Sequence, residues 1–185
     1  AHASLDILKE GAITAEFRSS DRQDADGNYV MELQNEVLPR ALQEHGKIEK
    51  NRLRRWGQSK LKIAGTVYPK GISVLPDSII PFILDGQAQS FSALCGPDDE
   101  AKNATVTFSV RVDGNEAWSS GEMRKGMRPQ TVSVDLRGAK KLELMLHGTN
   151  PKHQAHANWI NPSIRYRDTR PVNEFEFLVD APRND

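Results

Sequence analysis

The segment 147–159, HGTNPKHQAHANW, concentrates the side chains that could recognise a ligand. Trp159 has an aromatic face that could stack on the apolar C–H patch of a sugar ring. Around it, His153, His156 and Asn158 could hydrogen-bond hydroxyl groups. These four are candidate ligand-binding residues if the segment is a loop. The sequence leaves an equal alternative open, in which Trp159 is a core residue of a last strand, because tryptophan is usually largely buried.

Two groups of side chains could bind a metal ion. The histidines at 147, 153 and 156 invite a zinc site, but their spacing fits no standard ligand pattern, so a polar loop is the favoured interpretation. Asp98 and Asp99 could supply oxygen ligands to a structural calcium ion, or could instead cap a turn. Calcium is the one cofactor that this pattern keeps open.

Catalytic chemistry is not indicated. No nucleophile is paired with a base, and no acids are spaced to converge on a scissile bond. Cys95 ends an apolar run, which is typical of a buried and inert thiol. We therefore expect a protein that is not an enzyme.

Charge and hydropathy restrict the partners. The chain has 25 Lys+Arg and 25 Asp+Glu among 185 residues, so no overall field favours nucleic acid and a neutral ligand is expected. No run approaches the roughly 18 consecutive apolar residues of a membrane span. The first residues lack the pattern of a signal peptide, so we expect any export signal to have been removed.

The elements that would position these side chains are mostly short strands. Val106, Phe108 and Val110 alternate with polar residues, and Asp113-Gly114 then supplies a hairpin turn. Strands separated by turn signals are predicted at 61–67, 78–84, 90–95, 105–112, 116–119, 131–136, 141–146 and 158–166. This spacing predicts an all-β fold, an antiparallel β-sandwich. The segment 174–177 would add a C-terminal edge strand.

The first part of the chain differs in composition from the rest. A strand is predicted at 11–17 and a polar loop at 19–28. From 29 to 55 the apolar residues fall near helical spacing around Pro39, which predicts one or two additional N-terminal helices. We expect an N-terminal extension (1–56) packed on a β-sandwich (57–185) in one globular unit, with the helices available to contact a protein partner.

The strands carry a series of short motifs in a fixed order. They are YPKGI at 68–72, PDSI at 76–79, FSA at 91–93, GPDD at 96–99, VTFSV at 106–110, LRGA at 136–139, LEL at 142–144 and HANW at 156–159. Together they resemble the NPCBM family of carbohydrate-binding modules, appended to many glycoside hydrolases, over roughly 61–166. The resemblance implies a jelly-roll β-sandwich that binds a neutral glycan without catalysis, through loops at one end, in an extracellular or cell-envelope protein.

The chain departs from the family pattern near the implied site. The turn after YPKGI reads SVL at 73–75, where family members usually have a His. Ala155 and Asn158 stand where the family usually has Asp. These losses favour, as the alternative function, a protein-interaction or structural β-sandwich that has lost sugar binding.

Overall fold

A computed structural model of the chain describes residues 13–14, 22–36, 42–53, 59–84 and 86–167. In these ranges the chain forms strands joined by turns. The strands are β1 (Ile13–Thr14), β2 (Arg22–Gln23), β3 (Tyr29–Glu32), β4 (Leu42–Gln43), β5 (Glu49–Lys50), β6 (Leu61–Ile63), β7 (Thr66–Tyr68), β8 (Gly71–Val74), β9 (Ser78–Ile83), β10 (Ala88–Pro97), β11 (Val106–Val112), β12 (Asn115–Met123), β13 (Gln130–Asp135), β14 (Lys141–Gly148) and β15 (Ala157–Tyr166). Two short 3₁₀ turns, Leu33–Asn35 and Lys152–Gln154, complete the described elements.

Two sheets form the body of the fold. The first has the order β1-β9-β14-β11-β12, and β4 also pairs with β9. The second has the order β13-β10-β15-β3-β2, with β8 paired to β15 and β5 paired to β8. The pairings are antiparallel except for the parallel contact of β1 with β9. The prediction of an all-β, antiparallel architecture is confirmed, while the finer jelly-roll topology stays a prediction.

Alternating side chains of the two sheets meet in one core. Phe108 and Leu144 of the first sheet have no exposed surface, as the alternation in their strands predicts. Phe91 and Trp159 of the second sheet are equally buried, and the Trp159 ring meets Phe108 edge-on with 5.0 Å between ring centroids. Full burial of such side chains contributes about 1.5–3 kcal/mol each, so this contact between the sheets is a main source of stability.

The prediction of N-terminal helices is wrong. Between residues 29 and 53, the described part of the chain forms β3, β4, β5 and one 3₁₀ turn, and contains no α-helix. These strands pair with β15, β9 and β8 respectively. The edges of the sheets offer unpaired N–H and C=O groups. Hydrogen bonds to these groups stabilise a strand here more than the weak helical periodicity stabilises a helix. Residues 37–41 and 54–58 lie outside the described residues.

A hairpin, β6–β7, lies on the outer face of the second sheet. The segment 61–67 was predicted as one strand, but Ala64 and Gly65 have φ angles of 47° and 87° and turn the chain back. Leu61 and Ile63 are fully buried there against Ile160 in a second, smaller core. The hairpin therefore covers one part of the outer face of the sheet.

The predicted boundary near residue 56 stays a prediction. Strands from both sides of it share the two sheets, since β3 pairs with β15 and β4 pairs with β9. The predicted edge strand at 174–177 lies outside the described residues. No helix in the described part of the chain has the length and apolar character needed to cross a membrane.

Candidate functional site

Three loops lie together at one end of the sandwich. Antiparallel pairing brings them there, because Val106 at the start of β11 pairs with both Met123 and Gly148. At the same end, Pro97 of β10 pairs with Ala157 of β15. We call this surface the loop end; it comprises residues 98–105, 124–129 and 149–156.

Backbone hydrogen bonds tie the loops of this end together. The N–H of Asp98 donates to the carbonyl of His156 over 2.9 Å, and the N–H of Lys102 donates to the carbonyl of Gln154 over 3.0 Å. The loop after β10 is thus held against the loop before β15. Side chains of the two loops are presented on one connected surface.

Two of the four predicted ligand-binding residues have exposed surface at the loop end. His153 lies in the 3₁₀ turn and is exposed, with its ring 6.3 Å from that of His45 in an edge-on arrangement. His156 is half-buried, and its carbonyl fixes the position of Asp98. Binding of a ligand by these two imidazoles stays a prediction.

The other two predicted residues lie inside the fold. Trp159 has no exposed surface and packs edge-on against Phe108 and Phe91, with ring centroids 5.0 and 6.2 Å away. Its ring face is therefore closed to a stacked sugar, and the core alternative that the sequence left open describes its position. Asn158 is also fully buried. The interpretation of Trp159 and Asn158 as loop residues is corrected, because both belong to β15, which is covered on both faces.

Asp98, one of the two candidate calcium ligands, is a buried acceptor. Its Oδ2 accepts hydrogen bonds from the N–H of Lys62 at 3.0 Å and from Nδ2 of Asn158 at 2.7 Å. Its Oδ1 accepts from the N–H of Glu100 at 2.9 Å. Three donors stabilise the carboxylate where water cannot reach it. The residue fastens the β6–β7 hairpin to the ends of β10 and β15.

Asp99, the other candidate, closes the turn of the β6–β7 hairpin. Its two carboxylate oxygens accept from the N–H groups of Ala64 and Gly65, each at 2.9 Å. Asp99 thus has the second role that the sequence left open, which is to cap a turn. Within the described residues, no group of three or more His, Cys, Asp or Glu side chains is arranged to hold a metal ion. Both carboxylates already accept hydrogen bonds from N–H donors, and a role as calcium ligands stays a prediction.

A charged cluster lies beside these loops, and the sequence does not predict it. Asp77 accepts from Nζ of Lys152 at 3.2 Å, from the N–H of Gly148 at 3.1 Å, and lies 3.1 Å from Nδ1 of His147. Lys152 also reaches Oε1 of Glu44 at 3.3 Å. Burial raises the pKa of Asp77, but the Gly148 N–H and the Lys152 ammonium together hold it below its ordinary value. The hydrogen bond to Asp77 raises the pKa of Lys152.

No pattern in the sequence could have found this cluster. Asp77 and Lys152 are 75 positions apart, and Glu44 lies in a segment that was interpreted as helical. Their contact depends on the register of β9 against β14, which places Ser78 opposite Leu146. The only local signal is the high density of polar residues around 147–154.

Cys95 has the position that its sequence context predicts. It is fully buried in β10, and burial raises the pKa of its thiol to about 12. The group is therefore a neutral thiol at physiological pH and not a nucleophilic thiolate.

A groove of about 420 Å³ opens at the loop end. Its walls come from all three loops: Lys102, Asn103, Thr105, Arg124, Lys125 and Thr149. The two threonine hydroxyls lie 3.2 Å apart, and the N–H of Thr105 donates to Oγ1 of Thr149. The groove is polar and open to solvent.

A second groove, of about 460 Å³, lies on the outer face of the second sheet beside the β6–β7 hairpin. Two of the three basic side chains in its lining, Lys70 and Arg165, are paired with a carboxylate, whereas Arg22 forms no ion pair with another described residue. Nε of Arg165 lies 3.2 Å from Oδ2 of Asp24, and Nζ of Lys70 lies 3.3 Å from Oε1 of Glu32. Arg165 also donates to Ser92 over 2.7 Å.

The chain is similar in sequence to parts of larger proteins. It is 36% identical over 104 residues to a protein of Renibacterium salmoninarum that carries the name of an endo-alpha-N-acetylgalactosaminidase, which is 55% of this chain and 7% of that protein. It is 26% identical over 156 residues to alpha-1,3-galactosidase B of Akkermansia muciniphila, 82% of this chain and 19% of that protein. The chain thus spans less than a fifth of either relative.

Solved structures of CBM51 modules share the fold. Tandem CBM51 modules of a Streptococcus pneumoniae family 98 glycoside hydrolase match with a TM-score of 0.72 at 16% identity, over 82% of this chain and 51% of that chain. A Clostridium perfringens CBM51, solved in complex with methyl-galactose, matches with a TM-score of 0.63 at 23% identity, over 73% of this chain and 99% of that chain. At these identities the likeness establishes the fold alone.

The family assignment rests on the sequence. The model of the NPCBM/NEW2 domain matches residues 30–165. The match begins well before residue 61, where the motifs begin, and includes β3, β4 and β5, which complete the two sheets. It covers more than half of the chain and confirms the resemblance in the motifs. The chain belongs to the NPCBM/NEW2 domain family.

Proposed function

We propose that this chain is a non-catalytic carbohydrate-binding module that binds a largely neutral glycan through its loop end. The family assignment supports this function. So does the similarity to small parts of two proteins that are named as glycosidases, since an accessory module occupies a minor share of a large enzyme. Among its structural neighbours, one CBM51 was solved with methyl-galactose and another, from Clostridium perfringens, with GlcNAc.

The observation that carries the proposal is the position of the 420 Å³ groove. It opens between the same loops that present His153 and His156. Imidazole, amide and hydroxyl groups are the donors and acceptors that sugar hydroxyls require. Trp159 packs in the core against Phe108 and Phe91, so the proposal assigns it no stacking contact with the sugar. Jelly-roll topology and an extracellular or cell-envelope location complete the proposal.

The proposed function involves no reaction by this chain. The buried thiol of Cys95 is not activated. Near the loop end, Asp98 and Asp99 accept from N–H groups and Asp77 is a partner of Lys152. Binding would bring an attached catalytic domain close to a glycan.

One observation favours the alternative, a β-sandwich that makes protein contacts and has lost sugar binding. The tryptophan expected at the site is buried, so the loop end lacks that stacking platform. The protein contact predicted through N-terminal helices has no basis in the described residues, because these form strands. A partner would have to bind another surface.

Isothermal titration of the chain with methyl-galactose, N-acetylgalactosamine and N-acetylglucosamine tests the proposal. We expect a dissociation constant of about 0.1–1 mM for at least one sugar, that is, about −4 to −5.5 kcal/mol. The double variant His153→Ala/His156→Ala should weaken that binding at least about tenfold, which corresponds to about 1.4 kcal/mol.

Asn115→Ala is the matched control, because Asn115 is exposed on the hairpin at the opposite end of the sandwich. It should leave the affinity unchanged. No binding of any of the three sugars, or of a wider glycan array, by the folded chain would contradict the proposal and favour the alternative. Equal loss of affinity in the control variant would remove the binding site from the loop end.

A further inference from the structure

The groove at the loop end is a patch of unbalanced positive charge on a neutral chain. Lys102, Arg124 and Lys125 are exposed on its walls, and its lining contains no acidic residue. The whole chain has as many acidic as basic residues, so this local excess is not a general property of its surface. A concentrated positive potential attracts an anion locally even when the net charge is zero.

These three cations differ from two of the three basic residues that line the groove on the sheet face. In the groove on the sheet face, Arg165 and Lys70 are each within 3.3 Å of a carboxylate oxygen. By contrast, Lys102, Arg124 and Lys125 form no ion pair with another described residue. Their charge is therefore available to a ligand without breaking an internal contact.

The fold supplies neutral donors beside the cations. Thr105 and Thr149 place two hydroxyl groups 3.2 Å apart, and Asn103 is exposed next to them. The backbone bond from Lys102 to Gln154 holds this wall against the loop that carries His153. A sugar at the loop end would thus meet hydroxyl-binding groups and cations in the same groove.

We propose that the groove binds an acidic substituent, a carboxylate or a sulfate ester, on the glycan that this module recognises. The inference rests on the proposed function and deepens it, since the glycan remains neutral elsewhere. Ammonium and guanidinium groups form charge-assisted hydrogen bonds with both kinds of oxyanion. The sulfate and the carboxylate share this chemistry, and the experiment separates them.

The test compares matched neutral and acidic sugars on the intact chain. Galactose is compared with galactose 6-sulfate, and lactose with 3′-sialyllactose, by titration at about 50 mM NaCl. We expect an acidic member to bind about fivefold to tenfold more tightly than its neutral partner, because two or three exposed charge contacts each contribute modestly. The pair that shows the difference identifies sulfate or carboxylate as the substituent. At about 500 mM NaCl the preference should fall close to one, because salt screens exposed charges.

Variants locate the effect. Lys102→Gln/Lys125→Gln should abolish the preference for the acidic sugar, so that the variant binds the neutral and the acidic sugar with equal affinity. The matched control is Arg111→Gln/Lys140→Gln, which removes two exposed cations at the opposite end of the sandwich. It should keep the full preference. Thermal unfolding of each variant verifies that the fold is intact.

The outcomes separate this inference from the function on which it rests. Equal affinities for neutral and acidic sugars would overturn the acidic substituent and leave the proposed function standing. A preference that survives Lys102→Gln/Lys125→Gln would also overturn it, as would tighter binding of a short single-stranded DNA, since that would indicate unspecific anion binding. If neither kind of sugar binds, the proposed function and this inference both fail.

Discussion

Nδ2 of Asn158 donates a hydrogen bond of 2.7 Å to Oδ2 of Asp98, and neither residue has exposed surface. The bond joins the start of β15 to the end of β10. Asp98 uses the same oxygen to hold the N–H of Lys62 in β6. One buried carboxylate thus connects the main sandwich with the β6–β7 hairpin. Its neighbour Asn158 is a neutral amide, so it adds no second buried charge.

The first prediction concerns that amide. Asn158→Asp would place two carboxylates at hydrogen-bond distance in a buried site, where both cannot ionise. We expect the free energy of unfolding to fall by about 3–5 kcal/mol near pH 7. Burial and the neighbouring charge raise the folded pKa of the new carboxyl group above its unfolded value of about 3.9. The loss should therefore shrink as the pH falls through the raised pKa toward the unfolded value.

Urea unfolding at about pH 7 and about pH 5 measures both effects. Asn115→Asp makes the same chemical change at an exposed position of β12 and should alter stability by less than about 0.5 kcal/mol. Equal stability of Asn158→Asp and the unaltered chain at both pH values would contradict the buried position of Asn158.

The second prediction separates a core role of Trp159 from a role in stacking. Trp159→Ala should lower the free energy of unfolding by about 3–5 kcal/mol, because it leaves a cavity against Phe108 and Phe91. Trp159→Phe should cost less. It keeps most of the ring volume and removes Nε1, a buried donor that has no partner in the described structure.

Denaturant unfolding of both variants, combined with sugar titration of Trp159→Phe, measures the two roles. We expect Trp159→Phe to keep its sugar affinity. A variant that unfolds like the unaltered chain and loses its affinity would instead place the ring at the ligand.

Strands that have one solvent-exposed face could be predicted from the sequence. In β11, Val106, Phe108 and Val110 are buried and the residues between them are not, as their alternation predicts. The chemistry of the turn at Asp113-Gly114 likewise predicts the β11–β12 hairpin that forms. Local pattern is sufficient there, because one face packs on the core and the other is solvated.

The environment of β15 could not be predicted in that way. Its first four residues, 157–160, are all buried, because the core covers one face and the β6–β7 hairpin together with Leu53 covers the other. Alternation therefore disappears, and Trp159 could be assigned neither to a loop nor to the core. Asp77 and Lys152 meet only through strand register. Such long-range pairing also decided the conformation of the segment that was interpreted as helical.

The third prediction concerns the glycine of the YPKGI motif. A Cβ at Gly71 would lie 2.6 Å from the backbone oxygen of Trp159 and 2.9 Å from a methyl group of Leu61. Since Gly71 pairs with Ile160, relief would require β8 to move away from β15. We expect Gly71→Ala to lower the free energy of unfolding by about 1–3 kcal/mol.

Gly96→Ala is the control for this substitution. Its Cβ would meet Cγ2 of Ile63 at 3.0 Å, so a side-chain methyl group has to shift by only a few tenths of an ångström, whereas at Gly71 the obstacle is backbone. We expect a smaller loss, less than about 1 kcal/mol. Urea unfolding of the two variants should rank them in this order. The reverse order would indicate that the contact of β8 with β15 is looser than the structure shows.

The fourth prediction is a pH dependence that arises from Asp77 and Lys152. The folded pKa of Asp77 is lowered, because the Gly148 N–H and the Lys152 ammonium outweigh the effect of burial. A lowered folded pKa means that the stabilisation is present above the unfolded pKa of about 3.9 and is lost as the pH falls through the folded value. The Asp77 side chain is 37% exposed, so solvent screens the pair and the contribution should not exceed about 1 kcal/mol.

A double-mutant cycle at Asp77→Asn and Lys152→Gln isolates that contribution. Asparagine keeps an oxygen that can accept from the Gly148 N–H, so the cycle reports mainly the charge contact with Lys152. We expect a coupling free energy of about 0.5–1 kcal/mol near pH 7 that falls as the pH is lowered through the folded pKa of Asp77, which lies below the ordinary value. A coupling energy that does not change with pH would mean that the contact of Asp77 with Lys152 contributes through packing and not through charge.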